Sequence, residues 1–535
     1  MSKKLSNFIF LIIISFVFIN CANRGTPTGG EKDVTPPVIT KSSPDNFTTN
    51  FKGKEIKIYF DEYIKINNLQ KQLIISPPMD PEPEITPLGT ASKYITIKIH
   101  DTLQENTTYA FNFGESIVDN NEGNPYPYYK YVFSTGSYID SLSVSGIVTD
   151  ALDKKPEEFV SVMLYEVNDS YTDSIIYKEK PKYVSSTLDS TSTFKLENLK
   201  AGKYLMVALK EENSNYTYQQ KTDKIGFRKE FITVPSDTAY VLNVFKEEID
   251  FKATRPKLVS GNKIAFGYEG SHEGMQIKPL SQLPNDFKSQ ITKDPDKDTL
   301  NFWYKPKLEV DSLIFEVSNK KYRDTLVVKI KDQERDSLIY NAIESRVLKL
   351  KEDFQITSNL PNSKIDNSKI KIMDKDSVNV PFTSSYDKVN NISNFKFDKT
   401  EGNTYKIEML PGALTDFFGT VNDTLNYNLR TRQLSDYGNV RVLLKNAKYP
   451  VVVQLTSEKG EVKYEKTSTK AEPLDFNNLD AGNYLIRVIF DTNGNGKFDT
   501  GNFLKKQQPE RVSYFPEVLD VRAGWDLIQE FVLID

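Results

Sequence analysis

The sequence predicts an all-β protein, a string of about five β-sandwich domains. Three observations lead there. Tyr, Phe, Val, Ile and Thr are abundant, and long stretches with helical apolar spacing are scarce. Short runs with every second residue apolar recur, such as Ile56, Ile58 and Phe60 against Lys57 and Tyr59. That alternation puts one face of a strand on a core. Turn residues separate the runs at short intervals, and 535 residues suffice for roughly three to five domains.

The first element is a leader. Lys3 and Lys4 precede an apolar run from Phe8 to Ile19, the length of a signal-peptide core and short of the about 20 apolar residues that span a bilayer. No later window comes close, so no transmembrane helix is expected beyond it. The single cysteine, Cys21, stands where the apolar run gives way to a polar tail, and this arrangement resembles a bacterial lipoprotein signal. By that resemblance residues 1–20 are a signal peptide, and Cys21 is an anchor carrying a diacylglycerol thioether and an acylated amino terminus. Several acyl chains, at about 0.8 kcal/mol per buried methylene, hold such a chain on a membrane essentially permanently. Asn20 departs from the small residue usual before the cysteine, and Ala22 after it favours the outer membrane by the same resemblance. The alternative is a secreted protein with one free thiol. Residues 21–35, small, polar and proline-bounded, read as a lipidated tether.

Next comes PPVITKSSPDN, then KEIKIYFDEYI, LIISPP, KYITIKI and LQENTTYAFNFGESIVDNNEGNPYPYYKYVFSTG. Short strands with turn signals between them are the pattern of an immunoglobulin-like sandwich. Residues 36–136 resemble the bacterial Ig-like domains of S-layer and surface proteins: Pro44 and Asp45 before a strand, Phe60 and Asp61 ending one, Asn106 to Tyr109 opening another, the IVDNNEGN loop, and a closing FSTG. A fainter version, NTYKIEMLPGALTDFFGTVNDTLNYNLRT, aligns Asn403–Tyr405 with Asn106–Tyr109 and Leu429–Thr431 with the closing strand. It predicts a second, divergent Ig-like domain over residues 335–432. Residues 250–334 alternate similarly and read as a small Ig-like sandwich.

The clearest internal repeat pairs FKLENLKAGKYLMVALKEENSNYTYQQ, from Phe194, with FNNLDAGNYLIRVIFDTNGNGKFDTG, from Phe476. Leucine, Ala-Gly and Tyr-Leu leading a strand resemble the carboxypeptidase-regulatory-like, or transthyretin-like, sandwich. Such domains are expected at residues 138–248 and 433–535. The turn glycines Gly202 and Gly482 are expected to take a positive backbone dihedral before a core strand.

Composition excludes several functions. The formal charge is −4, and loss of residues 1–20 takes Lys3 and Lys4 with it and leaves −6; no basic block suggests nucleic acid as a partner. No thiol remains for a disulfide after lipidation. The two histidines, His100 and His272, fall in different predicted domains, so neither a histidine triad nor a zinc site assembles. No catalytic residue is nominated. GNGK at 494–497 is no phosphate loop, since Phe498 stands where serine or threonine is needed.

Two patterns carry site hypotheses. In DTNGNGKFDTGN, Asp491, Asn493 and Asn495 alternate, Gly496 allows a sharp turn and Asp499 occupies the ninth place. That spacing wraps oxygens round a structural calcium ion, although Asn502 replaces the terminal glutamate; the competing reading is an Asn-Gly turn without metal. No other cofactor is implied. The second pattern, Asp followed by Ser or Thr and a small or apolar residue, resembles the O-glycosylation acceptor of Bacteroidota. It marks Thr102, Ser141, Ser174, Ser190, Thr238, Thr299, Ser312, Thr325, Ser337, Ser377 and Thr424; Asp-Ser and Asp-Thr are equally good turn-to-strand junctions. Tyr126, Tyr128, Tyr129 and Tyr131 raise glycan stacking, but Tyr129, Tyr131 and Phe133 share one strand face and read as core.

As a whole the chain resembles multidomain surface lipoproteins of Bacteroidota. The resemblance implies lipid anchoring in the outer membrane, at the cell surface or on the periplasmic side, and no catalysis. It implies a scaffold or accessory role in an outer-membrane protein machine, such as β-barrel assembly or a nutrient-uptake porin, with an integral β-barrel protein or other lipoproteins as partners. An adhesin or glycan-binding protein is the alternative, and a carboxylate-based hydrolase ranks behind both.

Overall fold

A computed structural model describes residues 33–188, 191–344 and 346–534. The chain is almost entirely β-strand, and among the described residues helix is limited to the turn Leu69–Gln72 and three 3-10 segments. It is a string of β-sandwiches, numbered here from first to fifth along the chain.

The first sandwich packs the sheet containing Glu55–Ile66 and Ser92–Lys98 onto the sheet Ile74–Ser76, Thr108–Asn112 and Lys130–Ser134. Every second residue of Glu55–Ile66 faces in: Ile56, Ile58 and Phe60 meet Phe111, Tyr131 and Phe133 in one core. The fourth repeats its closing geometry. In the first, Tyr109 Oη accepts from Gln104 N (2.9 Å), while Thr135 Oγ1 accepts from Thr107 N (2.9 Å) and donates to Gln104 O (2.7 Å). In the fourth, Tyr405 Oη accepts from Thr400 N (2.8 Å), while Thr431 Oγ1 accepts from Asn403 N (3.0 Å) and donates to Thr400 O (2.6 Å). Tyr405 is thus the counterpart of Tyr109. The sequence alignment moves by one residue, so that Asn403 matches Thr107 and Gly402 matches Asn106, both of the latter pair at positive φ (58° and 49°). The third sandwich has its own core around Phe266, Phe302 and Phe315.

The second and fifth sandwiches share one topology. The second has a sheet ordered Tyr183–Ser186, Ser161–Glu166, Gly202–Lys210, Lys224–Phe227 against Thr193–Leu199, Leu142–Asp150, Ala239–Val244; the fifth has Val462–Ser468, Val451–Thr456, Gly482–Phe490, Val512–Tyr514 against Leu474–Asp480, Tyr437–Lys445, Asp526–Val532. In each, the last strand runs parallel to the first. Gly202 and Gly482 do not take the positive dihedral expected of them. It falls on Asn198 (59°) and Asn478 (61°), in the strand before. Asparagine tolerates that region because its short polar side chain bonds locally, and Asn198 Nδ2 donates to Asp140 O (2.9 Å).

The string turns back on itself. The second sandwich touches the third through Lys221–Glu269 (2.6 Å); the third meets the fourth in an apolar cluster of Trp303, Leu360 and Phe417. Arg432–Asp480 (2.8 Å) joins the fourth to the fifth. The fifth then returns to the second, where Tyr514 Oη donates to Leu152 O (2.8 Å) and Gln508 Nε2 to Phe227 O (2.9 Å). Four sandwiches close a circuit, and the first is attached to the second through Thr108 Oγ1 to Asp140 Oδ2 (2.8 Å) and by Ile74, which enters the second sandwich's outer apolar cluster.

Candidate functional sites

The loop predicted to hold calcium follows the strand Gly482–Phe490. Asp491 is buried, its Oδ1 accepting from Asn495 N (3.0 Å) and its Oδ2 from Gly496 N (2.8 Å). Gly494 and Gly496 take φ of 74° and 76°, which glycine accepts without strain. Asn495 Nδ2 donates to both Asp499 oxygens (3.1 and 2.9 Å), and Asn493 Nδ2 donates to Asp499 Oδ2. Glu510, which sequence reasoning passed over, closes the loop: Oε1 accepts from Thr492 N (2.6 Å) and Oγ1 (2.8 Å), Oε2 from Asp499 N (3.1 Å). The structure brings the four nominated residues together and fills their carboxylates with N–H groups. Among the described residues no group of three or more His, Cys, Asp or Glu side chains is arranged to hold a metal.

The first copy uses the same device with poorer residues. Glu211 stands where Asp491 does, and its Oε2 accepts from Tyr216 N (2.7 Å), as Asp491 accepts from Gly496. Ser214 and Tyr216 hold the positive φ (50° and 59°) that glycines hold in the fifth sandwich. Oε1 of Glu211 is buried without a hydrogen-bond partner, and burial pushes its carboxyl up to about 7. In the first sandwich the IVDNNEGN loop is wound on Asp119, which accepts from the backbone N–H groups of Asn121, Glu122, Gly123 and Asn124 (2.7–3.1 Å). Burial opposes ionisation there, but these bonds outweigh it and lower the carboxyl.

Farther along the fifth sandwich's loop, residues 499–508 reach the second. Phe503 is 0 % exposed and sits in the outer cluster of that domain, edge-on to Phe227 with centroids 5.2 Å apart. Its N–H donates to Glu247, a carboxylate only 4 % exposed whose other oxygen accepts from Tyr218 Oη (2.9 Å). Lys506 Nζ lies 2.7 Å from Asp173 Oδ1 and 4.3 Å above the Phe503 ring. The Lys506 bond is the main reason the Asp173 carboxyl lies below its ordinary range. Thr500 Oγ1 donates to Lys246 O (2.6 Å). A Cβ on Gly501 would stand 2.4 Å from the Phe245 ring, so the backbone there lies directly on the ring. Open clefts of about 390 and 350 Å³ flank the joint, lined largely by Lys, Asp and Glu.

The remaining candidates are scattered. Thr102, Ser141, Thr238, Ser312, Thr325, Ser337, Ser377 and Thr424 are exposed, and Ser174 and Thr299 are half-buried; Asp101, in the loop after Ser92–Lys98, and Asp324, within the strand Tyr322–Lys329, each accept from the next residue's N–H (2.6 and 2.8 Å). Ser190 and Cys21 lie outside the described residues. His100 is exposed beside Glu84, while His272 packs on Tyr268 in the third sandwich, so the structure brings no histidines together. Tyr131 and Phe133 are core, Tyr126 and Tyr129 pack against it, and Tyr128 is half exposed. Among the described residues no helix is long and apolar enough to cross a membrane.

No curated protein sequence matches the chain. Among solved structures, surface layer protein SbsC, domains 1–6, is 10 % identical, covering 91 % of this chain and 67 % of that one, with TM-score 0.15. The Bacillus anthracis TIE protein is 10 % identical, covering 95 % and 76 %, with TM-score 0.14. Titin domains I67–I69 are 13 % identical, covering 52 % and 98 %, with TM-score 0.12. Residues 33–135 match the bacterial Ig-like domain family, and the first sandwich is a bacterial Ig-like domain.

Proposed function

We propose that the protein is a non-catalytic lipoprotein of the outer membrane, anchored through Cys21, that serves as a scaffold or accessory subunit of an outer-membrane protein machine. The observation that carries this reading is the closed circuit of four sandwiches, which gives a frame with many outward strand faces and loops. Four of its buried carboxylates serve turns and joints: Asp119, Asp491 and Glu510 bind backbone N–H groups, and Glu247 binds the Phe503 loop. A frame of that kind positions other proteins, and the leader supplies the membrane attachment.

The test is recovery of the tagged lipoprotein from outer membranes in mild detergent, with mass spectrometry of what accompanies it. Stoichiometric recovery of one integral β-barrel protein is the expected result. Recovery of the lipoprotein alone, with barrel proteins only at background, overturns the scaffold reading in favour of adhesion or glycan binding.

A further inference from the structure

The joints of the circuit are built differently. Between the third and fourth sandwiches, Trp303, Leu360 and Phe417 form an apolar cluster against Phe418, and Lys305 and Arg335 lie over the Phe417 and Phe418 rings (4.7 and 4.1 Å). Between the second and fifth, the outer cluster of the second sandwich receives a single side chain of the fifth, Phe503. Around that ring the joint is polar. Lys506–Asp173 has 27 % and 44 % of its side chains exposed, and Lys154 Nζ donates to the carbonyls of Phe515 and Pro516 (3.2 and 2.7 Å) at the surface. The two charged clefts wedge into its edges. One buried aromatic anchor, with the hydrogen bonds of Arg487 and Tyr514 to Leu152 O beside it and charged residues at the edges, is the build of a reversible interface, and exposed ion pairs weaken further as salt rises.

We propose that residues 499–508 are a releasable latch. Phe503 is a plug in a slot of the second sandwich, formed by Phe227, Phe245 and the carboxylate of Glu247, and Lys506 seals it on Asp173. With the plug seated, the four-sandwich circuit is closed; with it withdrawn, the slot on the second sandwich is uncovered and the fifth is held there by polar bonds alone, those of Tyr514 and Arg487 to Leu152 O and of Lys154 to the Phe515 and Pro516 carbonyls, which let it swing on the fourth. Glu247 is the selective element. Buried with Tyr218 Oη on one oxygen, it is shut off from water while the plug is seated and then has the Phe503 N–H on its other oxygen, so an occupant of the slot must bring a donor there. The slot therefore fits a turn led by an aromatic residue with a cation three places on, and this chain's own loop is that turn. The fifth sandwich is tethered to the second through the third and fourth, so the contact forms at a high effective concentration and needs little intrinsic affinity. This inference is independent of the lipid anchor and of the scaffold reading.

Cys21 is the only native thiol, so the full chain with Cys21→Ser can be spin-labelled at Lys155→Cys and Lys459→Cys, one on each wall of the larger cleft. Electron–electron double resonance should give one short distance for the native latch. Lys506→Glu, which sets a carboxylate against Asp173, and Phe503→Ala should each add a longer-distance population above about a tenth of the molecules. Lys506→Glu changes a half-exposed side chain and is expected to leave the circular dichroism spectrum unchanged, so its result stands even if Phe503→Ala misfolds. One unchanged short distance in the folded Lys506→Glu chain, at low salt and at molar salt, would overturn the proposal and make the joint a permanent seam.

Discussion

The second and fifth sandwiches carry the same strands in the same order, yet the outer faces of their central sheets differ in kind. In the second, that face is built from Met163, Tyr165, Leu205, Val207 and Leu209. In the fifth, the equivalent positions hold Gln454, Thr456, Leu485, Arg487 and Ile489, all buried as well. Arg487, 3 % exposed, donates to Gln454 Oε1 (2.7 Å), Tyr514 Oη (3.2 Å) and, in the second sandwich, Leu152 O (3.3 Å). One copy buries its outer face as a dry receptor for Phe503; the other buries it as a hydrogen-bonded network across the joint. A duplicated fold is made asymmetric by a few outward residues and one loop.

Exchanging the two chemistries breaks the comparison most severely. Val207 is 0 % exposed and has Met163 directly opposite, so Val207→Arg buries a cation without a partner, at a cost of about 3–5 kcal/mol. Loss of hydrogen-exchange protection confined to the second sandwich is the expected outcome; full protection would show that its outer face is not the dry receptor described. The reverse exchange, Arg487→Val, strips Gln454 of its donor and the Leu152 carbonyl of one of two. A loss of about 3 kcal/mol is expected from the charge-assisted bonds, read as a lower denaturant midpoint of the fifth sandwich. The 3.7 Å pair of Arg487 with half-exposed Asp153 adds little.

The equivalent acids Glu211 and Asp491 sharpen the comparison through pH. Asp491 has both oxygens satisfied, whereas Glu211 has one buried oxygen without a partner and a carboxyl raised from 4.5 to about 7. Because the folded state holds this proton more tightly than the unfolded chain, Glu211 costs nothing below about pH 4.5. Stability is lost as pH rises from there through 7, after which the penalty is complete, at roughly 3 kcal/mol. Glu211→Gln should therefore match the native chain at pH 4.5 and be the more stable by about that amount at pH 8.5. Equal melting curves at both pH values would contradict the burial argument.

Much of this architecture is legible in the sequence because strands and turns are local. The alternation of Ile56, Ile58 and Phe60 reports its own inward face, and FKLENLKAGKYL against FNNLDAGNYL reports a shared strand–turn–strand that crosses from one sheet of the sandwich to the other. What the repeat does not report is that its two copies touch. Phe503 and Glu247 lie 256 positions apart, and no periodicity links them. A hint exists in YLIRVIF, where a strand too apolar to have a wet face holds one arginine, so that the arginine must find buried partners. The spacing of DTNGNGKFDTGN marks a tight loop around Asp491, but spacing alone cannot tell an oxygen that meets a cation from one that meets an N–H, and Glu510 stands too far along the chain to be counted with it. The positive dihedral was assigned to the repeat's glycines because only glycine takes it freely; asparagines took it instead, in the strand before.

The smallest expected effect isolates backbone from side chain. Ser214 is exposed and sits at φ 50°, where its counterpart Gly494 sits at 74°. A non-glycine residue pays about 1–2 kcal/mol for that region, and the greater chain entropy lost by glycine offsets part of the relief. Ser214→Gly should raise the stability of the second sandwich by about 0.5–1 kcal/mol, while Gly494→Ala should lower that of the fifth by a similar or larger amount. Neither Ser214 nor Gly494 takes part in the latch contacts of residues 499–508, so the spin-label distance should stay short in each variant while the unfolding midpoints move in opposite directions. If both variants lower stability, the two loops do not share a backbone preference, and their likeness is imposed by the acid at the head of each loop, Glu211 or Asp491, drawing the N–H five residues on.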